Sequence, residues 1–339
     1  MKNIILLFFI SFVLMVSCSK DDLPKDNDTQ INDKAAMIVG YLPYYQFALS
    51  DKIEYCKLTH LNLAFANPDS HGNIIMESVT EIVSDAKKAN PKIIICISLA
   101  GGALTNEQAT NWSNLIDISA NRPAFIANII NYVINNNLDG VDVDLEWNHV
   151  TSGYSDFVIE LGAGLKTQGK LITAAFPQAR YSNVTDAALE VFDVINIMSY
   201  DATGPWLPSF PGQHSSLNFS KVGISFWNNT VGIPAERLTL GVPFYGYNFV
   251  NSTTAHSVTY NQMVRDDINN AALDQVGTTF YNGILTIKYK VNLAYDRGIG
   301  GIMIWELGQD SFDEYSLLKT IHNEYTTLGV KTSGLCGNN

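Results

Sequence analysis

The chain has 339 residues, of which 46% are hydrophobic, so it can bury a core of substantial size. Its formal net charge of −12 excludes nucleic acid as the main ligand, because binding to phosphates requires a basic face that replaces counterions. The same charge disfavours an anionic substrate, whereas a neutral polysaccharide is compatible with it.

The first segment is predicted to be a signal peptide that spans residues 1–17. After a basic start, the apolar run Ile4–Val16 is too short to cross a bilayer but has the length of a signal-peptide core. A small residue precedes Cys18, so the segment resembles a bacterial lipoprotein signal, in which the cysteine is lipidated. The following Ser19–Asp22 resembles a surface-export tag of Bacteroidetes lipoproteins. We expect a protein of the outer membrane or cell surface that meets the membrane only through this lipid; a secreted protein with an incidental cysteine is the alternative.

The rest of the chain is predicted to contain one folded domain. Residues 18–36 are polar and should form a flexible tether, residues 37–329 carry a regular pattern, and residues 330–339 are predicted to be a loose tail. Three cysteines beyond Cys18 allow at most one disulfide bond, and their spacing does not indicate a metal site. We expect a monomer that uses no metal and no organic cofactor.

Eight short runs rich in apolar and β-branched residues are predicted to be strands. Most are continuous rather than alternating, which is typical of parallel strands that are covered on both faces. In chain order the runs are Met37–Leu42, Leu58–Phe65, Lys92–Ser98, Leu138–Glu146, Leu171–Phe176, Phe192–Tyr200, Leu238–Tyr245 and Ile299–Trp305.

Segments of helical periodicity lie between these runs. The clearest is Arg122–Asn137, which has Asn121 as a candidate cap and Pro123 in its first turn. The others are Thr80–Ala89, Ser155–Thr167, Phe219–Asn229, Ile287–Arg297 and Phe312–Tyr325. Strands that alternate with helices predict a single (β/α)8 barrel, the TIM-barrel fold, with a small excursion in residues 249–286 that includes a helix over Tyr260–Asn269. The alternative is an open doubly wound sheet, but the glycine fingerprint of its dinucleotide-binding form is absent.

The fourth run carries the main chemical signal. Side chains alternate along a strand, so Asp142, Asp144 and Glu146 share one face and the apolar residues between them share the other. The apolar face should pack against helices, which turns the acids into the barrel.

Three acids inside a barrel are costly, because burial and mutual repulsion both penalise their charges, so at least one pKa must be raised. Glu146 lies at the carboxyl end of the strand, where barrel enzymes place their active sites, and the row suits proton delivery. The alternatives are neutralisation by buried Lys or Arg and a divalent metal site. Asp139 has the opposite parity and is expected to fix the start of the strand by hydrogen bonding.

The same run, Asp139–Glu146, matches the D-G-x-D-x-D-x-E signature of glycoside hydrolase family 18 at every defined position. Four other segments, each at the end of a predicted strand, resemble motifs of this chitinase family. In the first of them, Ala100 stands where a glycine is usual. These segments are Ser98–Gly102, Met198–Asp201, Gly241–Gly246 and Gly301–Glu306. The resemblance covers residues 37–325.

The resemblance implies a retaining, substrate-assisted mechanism. Glu146 would protonate the leaving oxygen and later activate water, while the 2-acetamido group of the substrate attacks the anomeric carbon. Asp144 would hold the acetamido N–H, Asp142 would share a proton with Asp144, and Tyr200 would donate to the acetamido oxygen. These four residues are the predicted catalytic set.

The resemblance also implies sugar contacts at Asp201, near the cleaved bond, and at Trp305, as a flat floor under the reacting ring. The other predicted substrate-binding residues are the motif residue Met198 and the aromatic residues Tyr41, Phe65, Trp206 and Tyr245. His214 is expected to be a loop contact and not a catalyst.

The implied activity is hydrolysis of β-1,4-linked N-acetylglucosamine polymers, chitin foremost. An endo-β-N-acetylglucosaminidase acting on the chitobiose core of N-glycans would use the same fold and acid. An inactive chitin-binding lectin is the alternative from another class, although Glu146, Asp144 and Tyr200 are all present. Trp147 and Leu145 depart from the family pattern beside the acid and are expected to alter the fit of the sugar.

Overall fold

The computed structural model describes residues 35–332, which form a closed (β/α)8 barrel, so the predicted fold class is confirmed. Eight parallel strands form the barrel wall. They are β1 Ala35–Pro43, β2 His60–Pro68, β3 Ile94–Ala100, β4 Gly140–Asp144, β5 Leu171–Phe176, β6 Val194–Ile197, β7 Leu238–Pro243 and β8 Gly301–Trp305.

The barrel closes because β1 pairs in parallel with both β2 and β8, while the other strands pair with their neighbours in chain order. In this register Ser98 lies beside Asp142, and Asp142 lies beside Thr173. Three polar side chains from adjacent strands therefore occupy one layer of the barrel interior.

The two faces of β4 are used as predicted. Val141 and Val143 are fully buried in the large core between the strands and the surrounding helices. Asp142 and Asp144 are also buried, but their side chains lie on the interior side, where Asp142 bonds to Tyr41 across the barrel. The period-2 geometry of a strand thus separates apolar packing from the acidic row.

Nine α-helices lie in the described part of the chain. They are α1 Thr80–Ala89, α2 Asn106–Asp117, α3 Arg122–Asn135, α4 Tyr154–Thr167, α5 Asp186–Val191, α6 Leu217–Ile224, α7 Tyr260–Asp266, α8 Ile284–Asp296 and α9 Leu317–Thr327. A π-helical segment, Ser225–Val231, continues α6.

The apolar periodicity does not predict α2 and α5. Helix α2 is mostly polar, but Thr105 and Gln108 form a capping box at its start, which is a local signal that periodicity overlooks. Helix α5 has only six residues. The predicted cap Asn121 is wrong, because its side chain makes no capping bond and donates to the carbonyl of Asn114 instead.

The excursion between β7 and β8 begins earlier than predicted, at Tyr245, and contains a sheet that the sequence pattern did not predict. Besides α7 it contains a four-stranded antiparallel sheet. From one edge of this sheet to the other, the strands are Thr254–Thr259, Tyr245–Asn251, Thr279–Phe280 and Gln275–Val276. Tyr245 belongs to this sheet and not to the seventh barrel strand. The apolar run continues through the residue at which the chain leaves the barrel, so composition does not reveal the break.

The limits of the folded part differ slightly from the predicted range 37–329. Strand β1 begins at Ala35, and Lys331–Thr332 pairs with Ala35 and Ala36. This pairing joins distant parts of the sequence, which a local pattern does not contain. The predicted signal peptide, the lipidated Cys18 and nearly all of the predicted tether and tail lie outside the described residues.

Among the described cysteines, Cys56 is disulfide-bonded and Cys96 is a buried free thiol. Cys96 is therefore shielded from solvent, as expected for a small apolar side chain in a barrel strand. No helix between residues 35 and 332 has the length and apolar character needed to cross a membrane.

Candidate active site

Asp142 lies at the centre of a buried hydrogen-bond network. Its carboxylate accepts bonds from the hydroxyls of Tyr41 (2.8 Å), Ser98 (2.7 Å) and Thr173 (2.6 Å). The amide of Asn196 donates a fourth bond at 3.4 Å. The pKa of Asp142 is raised above its usual value by burial, and the four donors, which favour the ionised form, offset part of that rise.

Asp144 has the opposite environment. It is buried, and its Oδ1 atom accepts no hydrogen bond from any residue in the described range. Burial, followed by the charges of Glu146 and Asp142, raises the pKa of Asp144 well above its usual value. This environment favours the protonated form of Asp144 more than that of Asp142. A hydrogen bond that shares a proton with Asp142, which the family resemblance implies, is not present among the described contacts.

Glu146 follows β4 in extended conformation and leads into a short 3-10 turn, Trp147–His149. Burial, together with the charge of Asp201, raises its pKa to about 7. A carboxyl group with this pKa can both give and take a proton near neutral pH, which is the requirement for a general acid that later acts as a base. Gly102 after β3 approaches this carboxyl group closely, since a Cβ on Gly102 would stand 2.5 Å from Oε1 of Glu146.

Tyr200 and Asp201 follow β6 at the same end of the barrel. Burial and the charge of Asp144 raise the pKa of Tyr200 well above its usual value, so its hydroxyl remains a donor. Within residues 35–332 this hydroxyl contacts only the weak acceptor Sδ of Met303, at 3.9 Å. Tyr200 therefore has a donor that no strong acceptor of the described chain occupies.

These residues line a cavity of about 420 Å³ at the carboxyl ends of the strands. Trp305 at the end of β8 stacks against Phe65 with ring centres 5.4 Å apart, and Met198 lies at the same opening. The peptide bonds Ala64–Phe65 and Trp305–Glu306 are cis. The cavity thus combines a flat aromatic surface with Glu146, Asp144, Tyr200 and Asp201, which all line it.

Three predicted substrate-binding residues differ in how much of the cavity they reach. Tyr41 lines the cavity, but it is only 1% exposed, and its hydroxyl donates a hydrogen bond to Asp142. Tyr245 is buried behind the cavity and donates to Asp201 at 2.6 Å, so it supports the site and does not line it. Trp206 is 58% exposed outside the cavity lining and packs edge-on against Tyr247.

Sequence reasoning missed several residues that shape the site. Asn196 and Thr173 complete the shell of Asp142, and Gly102 approaches Glu146. Asn196 and Thr173 are polar residues in otherwise apolar strands, and this contrast is the sequence feature that could have indicated a buried polar network. Asp139 behaves as predicted, because it accepts a bond from the Ile95 N–H at 2.9 Å and pairs with Lys87.

The geometry can hold a sugar ring on Trp305 and present the carboxyl group of Glu146 to it, which is the chemistry of a barrel glycosidase. Residues 37–310 match the sequence model of the family described as "Glycosyl hydrolases family 18". This match covers most of the chain, and the chain belongs to glycosyl hydrolase family 18.

Known proteins similar to this chain include both bacterial and plant members. The crystal structure of the family 18 chitinase ChiB from the chitin utilization locus of Flavobacterium johnsoniae has 52% sequence identity and a TM-score of 0.88, over 90% of this chain and 98% of that one. A chitinase structure from Bacteroides thetaiotaomicron has 26% identity and a TM-score of 0.74, over 86% and 96% of the two chains. A class V chitinase of Arabidopsis thaliana is 25% identical over 98% of each chain.

Proposed function

We propose that the chain hydrolyses β-1,4 bonds between N-acetylglucosamine units, with chitin or its oligomers as substrate, by a retaining, substrate-assisted mechanism. The observation that carries this proposal is the group around the cavity. Glu146 has a pKa of about 7, and within residues 35–332 the buried Asp144 has an oxygen without a partner and the Tyr200 hydroxyl has no strong acceptor. An acetamido group has one N–H and one carbonyl, and these two side chains match its two polar ends.

The proposed reaction begins when a sugar unit binds on Trp305 with its acetamido group between Asp144 and Tyr200. Glu146 gives its proton to the leaving glycosidic oxygen, and the carbonyl oxygen of the acetamido group attacks the anomeric carbon. Asp144 accepts the acetamido N–H bond and Tyr200 donates to the carbonyl, so both groups orient the internal nucleophile. Glu146, now ionised, removes a proton from the water that opens the cyclic intermediate.

The difference between the two buried aspartates supports this division of labour. Asp142 is already surrounded by four donors, so its negative charge is stabilised without the substrate. Among the described residues no donor reaches Oδ1 of Asp144, whose pKa is raised by burial and then by the charges of Glu146 and Asp142. A positive charge that develops at the anomeric centre during the reaction lies in the field of Asp142 and of Glu146, which loses its proton in the same step. This field stabilises the transition state more than the neutral ground state.

The named similarities to chitinases, above all the 52% identity to ChiB, support chitin as the substrate class. The endo-β-N-acetylglucosaminidase alternative uses the same acid, and no feature of the described cavity favours it. The inactive lectin alternative is opposed by the presence of the complete set Glu146, Asp144 and Tyr200 around one cavity.

The test is hydrolysis of a defined N-acetylglucosamine hexamer, with the anomer of each new reducing end followed by proton NMR. We expect β-anomers at early times, because two displacements retain the configuration. Initial α-anomers would contradict the retaining mechanism, and cleavage of a high-mannose glycoprotein without cleavage of the hexamer would support the alternative enzyme.

The matched variant is Glu146→Gln, which keeps the shape of the side chain and removes the acid. We expect a loss of about 10²-fold or more in kcat on a fluorogenic chitobioside, since this is the usual contribution of a positioned general acid. Equal rates for the variant and the parent would refute the assignment of Glu146.

We also propose that the protein is exported and lipidated at Cys18. The proposal is supported by the apolar run before Cys18 and the small residue that precedes it. Full-length protein and a Cys18→Ala variant would be compared by metabolic labelling with a fatty acid and by membrane fractionation. Label on the variant, or none on the parent, would contradict lipidation at this residue.

A further inference from the structure

His214 precedes α6 and lies just behind the cavity, with its side chain fully buried. Both ring nitrogens have partners. Nδ1 lies 3.3 Å from the backbone nitrogen of Asp201 and 3.3 Å from its Oδ1, and Nε2 lies 3.2 Å from the carbonyl oxygen of Tyr245. The ring also packs against the rings of Tyr245 and Tyr247, with centre distances of 5.0 and 4.9 Å.

This pattern assigns the proton of His214 to Nε2. The backbone N–H of Asp201 donates to Nδ1, so Nδ1 is the acceptor, and Nε2 then donates to the Tyr245 carbonyl. The backbone of His214 makes a further bond, because its carbonyl accepts from the N–H of Ala202 at 3.0 Å. One residue therefore holds the two consecutive N–H groups that follow Tyr200.

The backbone of Asp201 needs such support. Its φ of +66° lies in the left-handed region, which costs most residues about 1 kcal/mol or more and which Asp tolerates only somewhat better. Its Oδ1 accepts the hydroxyls of Tyr245 (2.6 Å) and Tyr247 (2.8 Å), and both of these rings pack against His214. The backbone and the carboxylate of Asp201 are thus held by one cluster, which consists of His214, Tyr245 and Tyr247.

The carboxylate of Asp201 acts in turn on Glu146, because its charge adds to burial in raising the pKa of Glu146. His214 does not line the cavity, whereas Asp201 does. We propose that His214 is a positioning residue: it holds the backbone N–H of Asp201 and packs against the two tyrosines that bind the Asp201 carboxylate, and so fixes that carboxylate at the cavity that Glu146 also lines. The inference builds on the proposed function, since Glu146 is the acid there.

Two near-isosteric variants separate the contacts of the imidazole. In His214→Asn the Oδ1 atom takes the place of Nδ1 and keeps an acceptor for the Asp201 N–H. In His214→Gln the terminal amide reaches toward the Nε2 position and keeps the donor to Tyr245, but it loses the acceptor. We expect His214→Asn to keep kcat/KM at pH 7 within about threefold of the parent and His214→Gln to lose about tenfold or more, because misplacing a group at the reacting centre has costs of this order.

The decisive readout is a double-mutant cycle with Asp201→Asn. If His214 acts through Asp201, then His214→Gln in the Asp201→Asn background adds less than about threefold to the loss, since coupled residues are not additive. The basic limb of kcat/KM against pH moves to lower pH in His214→Gln, as it does in Asp201→Asn. Equal losses in both backgrounds, or an unmoved basic limb, overturn the proposal.

A readout without substrate makes this test independent of the proposed function. The titration of Glu146 is followed by carbon NMR in the resting enzyme and assigned with Glu146→Gln; a lower pKa in His214→Gln than in His214→Asn is expected. If both histidine variants melt much earlier than the parent, Tyr247→Phe replaces them, because it removes one donor to Asp201 and should move the Glu146 titration in the same direction. An unchanged titration in folded variants refutes the positioning role, whereas a shifted titration in a protein that cleaves no chitin oligomer refutes only the proposed function.

Discussion

The backbone of Gly102 faces the carboxyl group of Glu146 so closely that a Cβ on Gly102 would stand 2.5 Å from Oε1 and 3.0 Å from the carboxyl carbon. The substitution Gly102→Ala therefore forces Glu146 to turn away. We expect kcat on a chitobioside to fall by about 10²-fold, because a displacement of this order at the acid has such a cost, with little change in melting temperature.

Gly212 offers the matched control for this substitution. A Cβ there would meet no atom within 4 Å, so Gly212→Ala should leave kcat and melting temperature as in the parent. If the two alanine variants had the same activity, the close approach of Gly102 to the acid would have no functional meaning.

The pKa of Glu146 predicts the pH dependence of the activity. Above pH of about 7 the side chain is ionised and cannot protonate the leaving group, so kcat/KM should fall by about tenfold per pH unit on the basic side. Asp201→Asn removes a negative charge that raises this pKa, so its basic limb should move to lower pH. A basic limb at the same pH in both proteins would show that Asp201 does not influence the acid.

The same group affects stability with a defined sign. The folded-state pKa of Glu146 is raised from 4.5 to about 7, so the folded protein binds this proton more tightly than the unfolded chain. This contribution is fully present below pH 4.5 and is lost as pH rises through 7. Between about pH 5 and about pH 8, a range that spans most of this titration, the melting temperature should therefore fall less in Glu146→Gln than in the parent. Calorimetric scans at both pH values check this, and an equal fall in the two proteins would contradict it.

The two buried aspartates should respond in opposite ways to substitution by asparagine. Asp144→Asn puts a neutral group of the same shape in place of a buried carboxyl group whose pKa is raised well above its usual value, so the melting temperature at pH 8 should be unchanged or higher while kcat falls. Asp142→Asn turns an amide toward four donors, which should cost about 1–3 kcal/mol in the free energy of unfolding. Denaturant titrations compare the two variants, and a larger destabilisation by Asp144→Asn would contradict this difference between the two aspartates.

Exposed aromatic residues near the cavity should matter for long substrates only. Trp206 is 58% exposed and packs against Tyr247, beside the site, so Trp206→Ala should raise the KM for the hexamer several-fold and leave a small chitobioside almost unaffected. Tyr289 on α8 has a similar exposure of 59% and does not line the cavity, so Tyr289→Ala is the control. Equal effects of both variants on the hexamer would remove Trp206 from the binding surface.

Local pattern predicted most of the architecture because strand and helix periods are properties of neighbouring residues. The bounds of α1 and β5 agree with the predicted segments, and the parity of Asp142 and Asp144 follows from the pleat alone. The small sheet of the excursion was missed, because its short strands pair across turns and through distant partners. Tyr245 is predicted to belong to the barrel because the apolar run continues past Pro243, where the barrel strand ends.

The sequence alone determined that a row of acids faces the inside of a closed barrel and ends at its mouth, since this needs only the alternation of side chains along one strand. Only the tertiary structure decided which of these acids has hydrogen-bond donors that favour its ionised form. Tyr41 and Asn196, 101 and 54 residues away along the chain, bring donors to Asp142 and none to the Oδ1 atom of Asp144. The tertiary structure also placed His214 behind Asp201. Proton affinity depends on all groups within a few ångströms, and for these side chains that neighbourhood is assembled from strands far apart in sequence.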